Sequence, residues 1–218
     1  METKEPKTQT PTAVNPATEE ATEKKVNRKR IIGIGVAVVV VVAIALTWFF
    51  FNQRGAKAAD EAVGKADIEQ NDSLSLDLYK KAAELDHKSG NRAKLNVAIA
   101  LYNKGQYEEA LKYLEDASID DEVIAAGAYC LTGDCYVNLQ KYDQALKAFD
   151  KALKKADGNE KIAPFVLIKQ ANVYRAQQNY AAEYEAYDAI VNKYPSYLRS
   201  VRLDVMKYRE RARVAAGK

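Results

Sequence analysis

Two stretches of this chain, 35 residues apart, spell nearly the same segment: Gly105–Ala117 reads GQYEEALKYLEDA and Gln140–Ala152 reads QKYDQALKAFDKA. Tyr107 matches Tyr142, Ala110 matches Ala145, Leu111 matches Leu146, Leu114 matches Phe149 and Ala117 matches Ala152, with Glu, Lys, Asp and Gln between them. Spacings of three and four put the matched residues on one side of a helix of about 3.6 residues per turn. A chain that writes one amphipathic helix twice at a period of about 34 is held to a narrow set of folds. These are stacks of helix pairs in which no pair buries its apolar face alone.

Such a stack predicts further copies, and the chain supplies them. QNYAAEYEAYDAI (Gln178–Ile190) repeats the register with Tyr180, Tyr187 and Ile190, and Pro195 closes the unit. Upstream, LDLYKKAAELD (Leu76–Asp86) places Tyr79 and Ala82 at the equivalent spacing. A small-residue helix precedes each later copy: VAIALY (Val97–Tyr102), TGDCYV (Thr132–Val137) and QANVYR (Gln170–Arg175).

These residues resemble the tetratricopeptide repeat (TPR) family, whose pattern runs small residue, aromatic, Gly before a second helix, Ala, aromatic, Ala and Pro. The pattern falls on Ala98, Leu101, Gly105, Tyr107, Ala110, Leu114 and Ala117. It falls again on Gly133, Tyr136, Tyr142, Ala145, Phe149 and Ala152, and then on Ala171, Tyr174, Tyr180, Tyr187 and Pro195. Two departures stand out: Glu183 occupies the small Ala position of the second helix, and Asp72 stands where the first copy should have Tyr. The resemblance implies an all-α fold, an α-solenoid of about three to four TPR helix pairs. The final stretch, SYLRSVRLDVMKYRERARVAAGK, reads as a C-terminal capping helix with Leu198, Val201, Val205, Tyr208 and Ala212 in one apolar stripe. Arg199, Arg202, Arg209 and Arg213 run alongside it, a basic face open to anionic lipid, to an acidic partner or to solvent alone.

One segment departs from soluble composition. Ile31–Phe51, IIGIGVAVVVVVAIALTWFFF, is 21 residues without a charge. At about 1.5 Å per residue it matches a hydrocarbon core of about 30 Å, and Trp48 sits near its end as an interfacial aromatic. The small-x-small sequence Ala56-Lys57-Ala58 raises the alternative of a cleaved signal peptide. Against cleavage stand the long charged leader, an apolar run exceeding the usual stretch of about 7–15 residues, and bulky side chains at its exit. We therefore read a retained transmembrane helix.

The flanks set an expected orientation. KKVNRKR (Lys24–Arg30) carries five basic residues and no acid, whereas the segment after the span mixes Arg54, Lys57 and Lys65 with Asp60 and Glu61. The positive-inside rule then leaves the N-terminus cytoplasmic and carries the repeats across, into the periplasm of a bacterium. Residues 1–30 form a cytoplasmic tail with a basic membrane flank; Met1–Glu23, rich in Thr, Pro, Glu and Ala, is expected to be disordered. Residues 31–51 are the span, 52–89 a linker and degenerate first TPR, 90–197 the TPR repeats, and 198–218 the cap.

Charge and composition exclude several functions. Beyond residue 51 the chain holds 26 basic residues (33 less 7) and 25 acids (30 less 5), no excess of the kind nucleic acid demands. The lone His87 has no second His or Cys at ligand spacing, so neither a metal site nor a Ser-His-Asp set is written here, and no glycine loop cradles phosphate. No enzyme and no cofactor are expected. Cys130 and Cys135 lie about 140° apart around one helix and cannot bridge without unwinding it. They read either as a redox or intermolecular contact or as two small, partly buried residues.

What remains is a binding surface. In the TPR family the first helices of successive repeats line a concave groove for an extended peptide or a partner's helix. Carried over, those positions are Arg92, Leu95, Ile99, Tyr102 and Asn103 in the second copy. The third gives Cys130, Asp134, Val137 and Asn138; the fourth gives Phe165, Ile168, Asn172 and Arg175. Each position is equally open to inter-repeat packing. The order of tail, basic cluster, span and repeats, with NVAIALYNKGQYEEALKYLEDA as the nearest local match, resembles the YfgM-type ancillary subunits of the Sec translocon. That likeness implies a single-pass inner-membrane scaffold whose partners are the translocon or periplasmic chaperones, assisting secretion or envelope-protein folding. Two alternatives remain: a cytosol-facing TPR receptor of reversed topology, or a self-associating homo-oligomer using Gly33, Ala37 and Ala45 of the span.

Overall fold

The computed structural model describes residues 16–85, 88–156, 158–201 and 204–218, with residues 16–29 by backbone alone. Among the described residues there are ten helices and no strand: α1 (Pro16–Ile68), α2 (Asp72–Ala83), α3 (Lys88–Asn103), α4 (Tyr107–Asp116), α5 (Glu122–Asn138), α6 (Tyr142–Ala156), α7 (Ile162–Ala176), α8 (Tyr180–Lys193), α9 (Pro195–Ser200) and α10 (Val205–Ala215). The chain divides into two compact units, Met1–Gln53 and Arg54–Lys218. His87 and Arg202 lie outside the described residues, as does the part of the tail before Pro16.

In the first unit α1 carries the apolar run with every side chain from Ile31 to Phe51 exposed. An 18-residue window of this helix reaches a mean hydropathy of 2.8 with none of it buried, so it is long and apolar enough to cross a membrane. Its one hydroxyl is satisfied locally, since Thr47 Oγ1 donates to the Ala43 carbonyl at 2.6 Å. Residues 16–23 of the stretch expected to be disordered are helical and belong to α1.

The second unit is the stack. The end of α1 pairs with α2, then α3 with α4, α5 with α6 and α7 with α8. The first pair matches the family pattern least, and its contacts show why. Val63 and Ala66 are buried, but Ser75 stands between the helices and donates to the Ala66 carbonyl at 2.9 Å, and the Tyr79 hydroxyl donates to Asp67. Asn71 caps α2 by accepting from the Ser73 and Leu74 N–H groups, and Asp72 falls in the first turn, where the helix dipole favours an acid.

The later pairs share one backbone device. Gly105, Gln140 and Gln178 all adopt left-handed φ, of 75°, 57° and 59°. Each time the following N–H reaches back to a carbonyl inside the first helix: Gln106 to Leu101 at 2.9 Å, Lys141 to Tyr136 at 2.8 Å, Asn179 to Tyr174 at 2.8 Å. This is a Schellman-type stop that reverses the chain within a few residues. Inside each pair a large residue then enters the space left by a small one. A Cβ on Gly133 would stand 2.3 Å from Phe149 Cε1, so glycine is what lets α5 and α6 close. Ala98 with Leu114, and Ala171 with Tyr187, occupy the same places in the neighbouring cores.

The equivalence of Ala117 with Ala152 fails. Ala152 is fully buried in α6, whereas α4 stops at Asp116 and Ala117 turns extended with ψ of 121°. Lys94 on α3 ends the helix early: its Nζ donates to the Asp116 carbonyl at 3.1 Å and lies 2.6 Å from the Asp116 carboxylate. Asn91 Oδ1 accepts from the N–H of Ser118, two residues past the helix end, at 3.1 Å.

The closing segment is two helices rather than one. Val201 is extended and Asp204 starts a new helix by accepting from the Lys207 N–H at 3.0 Å. Val205 and Ala212 are buried and Tyr208 stacks on Tyr187 with centroids 5.9 Å apart, so α10 covers the last repeat. Here the departure at Glu183 finds its reason. Its carboxylate is only 1% exposed and accepts from Arg211 of α10 at 2.6 Å, while its second oxygen has no partner. Arg209 pairs with Asp188 at 2.6 Å and Arg213 with Glu210 at 2.7 Å, so two of the four arginines expected on a free basic face are engaged in ion pairs.

Removing Arg211 strands a buried carboxylate, whereas removing Glu183 restores the residue type of the family pattern. Arg211→Ala should therefore cost about 2–3 kcal/mol in urea unfolding of the full chain, and Glu183→Ala about 1 kcal/mol or less. The double variant should be no less stable than Arg211→Ala alone; the reverse order of single costs would contradict this account.

Candidate functional site: the face of the first helices

The first helices of the stack are tied side by side through polar contacts. Arg92 on α3 reaches Asp67 on α1 at 2.6 Å, Asn138 on α5 donates to the Tyr102 hydroxyl on α3 at 3.4 Å, and Lys169 on α7 meets both oxygens of Asp134 on α5 at 2.8 Å. The thirteen residues expected on this face divide by role. Leu95, Tyr102, Val137 and Ile168 are half-buried against the cores, Asp134 is half-buried in its pair with Lys169, and Cys130 is buried within a core. Arg92, Ile99, Asn103, Asn138, Phe165, Asn172 and Arg175 present exposed side chains, Ile99 at 42% and Phe165 at 48%.

Between α5 and α7 these residues meet in a cleft of about 350 Å³. Cys130, Asp134 and Phe165, three of the positions carried over from the family pattern, line it. Val123, Gly127, Leu131, Ile162 and Lys169 line it as well and are additions to the sequence reading. A signal for them exists: Val123, Gly127, Leu131 and Asp134 follow at helical spacing along α5, and Lys169 stands one turn beyond Phe165. Its ammonium lies 4.8 Å from the Phe165 ring centroid, so one lysine bridges a carboxylate and an aromatic face. Burial pushes the Asp134 carboxyl above the usual range, opposed by the Lys169 charge. The cleft thus offers an aromatic wall, an aliphatic floor and one half-screened ion pair, equipment for holding a mixed apolar and polar side-chain set.

The two thiols are unbridged and buried. Desolvation pushes both up to about 11, with Asp134 adding to the rise. They behave as small apolar residues of the α5–α6 and α3–α5 cores. Against an ordinary thiol value of 9.0, each should carry about 100-fold less thiolate at neutral pH. Iodoacetamide should accordingly label the folded chain about 100-fold more slowly than a free cysteine, the rate rising with pH toward about 11. Rapid labelling of either residue at neutral pH would contradict this placement.

Comparison with known proteins agrees with the helix pairing. The family model of the tetratricopeptide repeat matches residues 73–123, 98–160 and 130–197. A crystal structure of MamA protein is similar with a TM-score of 0.55 at 17% identity, covering 76% of this chain and 94% of that one. A second crystal structure of MamA gives 0.51 at 18% identity, covering 73% and 94%. At such identity the likeness concerns the fold alone. No curated protein matches the chain. With repeat matches spanning 73–197, more than half of the 218 residues, and the stop, pairing and small-large interlock repeated through the stack, the chain belongs to the tetratricopeptide repeat family.

Proposed function

We propose that this protein is a membrane-anchored TPR adapter. In this reading Ile31–Phe51 spans the bilayer, the basic flank Lys24–Arg30 holds the N-terminus in the cytoplasm, and the face of α3, α5 and α7 receives protein partners in the periplasm. The observation that carries it is the uncovered side-chain set at the α5–α7 cleft: Phe165 is 48% exposed beside the Asp134–Lys169 pair, in a stack whose other large residues are mostly packed away. An exposed aromatic in a polar-rimmed cleft is the composition of an interaction hot spot. The partner class follows from the layout of basic cluster, span and repeats: a translocon subunit or a periplasmic chaperone, engaged without covalent chemistry during secretion or envelope-protein folding. The engaged pair keeps the groove from favouring a highly charged peptide, so an extended segment with apolar anchors fits best.

A photo-reactive side chain at Asn172 of the full chain, in its native membrane, should form adducts with a translocon subunit or chaperone. Phe165→Ala, at a half-exposed position that leaves the core intact, should reduce those adducts about tenfold, equivalent to about 1.4 kcal/mol of binding. Adducts only between copies of the chain, or adducts indifferent to Phe165, would reject the proposal.

A further inference from the structure

The early end of α4 opens a second cleft, away from the first-helix face. α4 has 10 residues where α6 has 15, and the cleft lies between the last turn of α4, α5 and α6. It has a volume of about 430 Å³. Its floor is small and apolar, with Ala125, Ala128 and Ala148 all buried. One wall is a row of lysines on α6, Lys147, Lys151 and Lys155, one turn apart. Lys151 Nζ lies 5.6 Å from the ring centroid of Tyr129, which stands at the cleft on α5.

The row is cationic and makes no ion pair among the described residues, although ten other basic side chains are so paired. Glu115 is the one acid at the rim. Successive lysines are about 6 Å apart along the helix at about 1.5 Å per residue. Alternate side chains of an extended peptide fall about 6.8 Å apart and point the same way. The two spacings agree, and the residues between would face the alanine floor.

We propose that this cleft is a docking site for an extended acidic segment of a protein partner, with Asp or Glu at alternate positions against Lys147, Lys151 and Lys155 and a small or aliphatic side chain seated on Ala125, Ala128 and Ala148. The site is independent of the α5–α7 cleft, and its test separates the two. A short fluorescein-labelled peptide of alternating Glu and Ala with a central Leu is titrated against the full chain in nonionic detergent. The expected result is saturable binding, weakened by salt and absent for the same peptide with Gln in place of Glu. Lys147→Glu with Lys151→Glu and Lys155→Glu should weaken it about tenfold or more, whereas Phe165→Ala leaves it unchanged. All three lysines reach solvent, so the helical signal should persist; if charge reversal unfolds the chain, Lys→Gln at the same positions gives the same reading with a smaller loss.

Undiminished binding by the lysine variants, or loss of binding on Phe165→Ala, overturns the proposal. So does a result in which the peptide fails to bind while the lysine variants abolish association with anionic vesicles or between copies of the chain, since the row would then serve lipid or a second copy.

Discussion

The stack depends on the fit of a large side chain into the place of a missing one. Phe149 lies where a Cβ of Gly133 would have to be, and that vacancy lets α5 and α6 approach closely enough to share one core. Nothing else in the pair is as constrained. The left-handed stops at Gly105, Gln140 and Gln178 reverse the chain, yet two of the three are held by glutamine, which adopts that conformation only because the surrounding pair demands it.

Polar contacts have a different part. The ties of Arg92 to Asp67, Asn138 to Tyr102 and Lys169 to Asp134 cross from one repeat to the next on partly exposed surface, where such pairs contribute about 0–1 kcal/mol each. They add little to stability and fix which groups stand on the first-helix face. Glu183 is the exception, since its burial makes the Arg211 contact consequential and marks α8 as the repeat that receives the cap. Lys94 is a further polar residue with a structural consequence: by stopping α4 it leaves the lysine-lined cleft open.

The period and the small-large alternation were legible in the sequence because they are imposed by the core, where residue type tracks packing. The fold class, the pairing of helices and the closing role of Val205, Tyr208 and Ala212 follow from that. The misreadings lie where a side chain acts on a backbone far away in sequence. Ala117 looked like Ala152, but Lys94 and Asn91 on α3 determine that the helix ends before it. The closing segment looked continuous, and Asp204 as an N-cap was the overlooked sign of a second start. On the first-helix face, Tyr102 and Ile168 carry family groove positions yet pack into cores, and Lys169 joins the cleft because its partner Asp134 comes from another repeat. Spacing along one helix finds a face; it does not show which neighbour covers that face.

The proposed function requires the basic flank Lys24–Arg30 and the repeats to lie on opposite sides of the membrane. Protease added to intact cells, and then to cells with the outer membrane opened, with a C-terminal tag as the readout, tests this directly. The account predicts that the tag survives in intact cells and is lost once the outer membrane is opened. Protection of the tag until the inner membrane is lysed would contradict it, because the repeats and their partners would then be cytoplasmic.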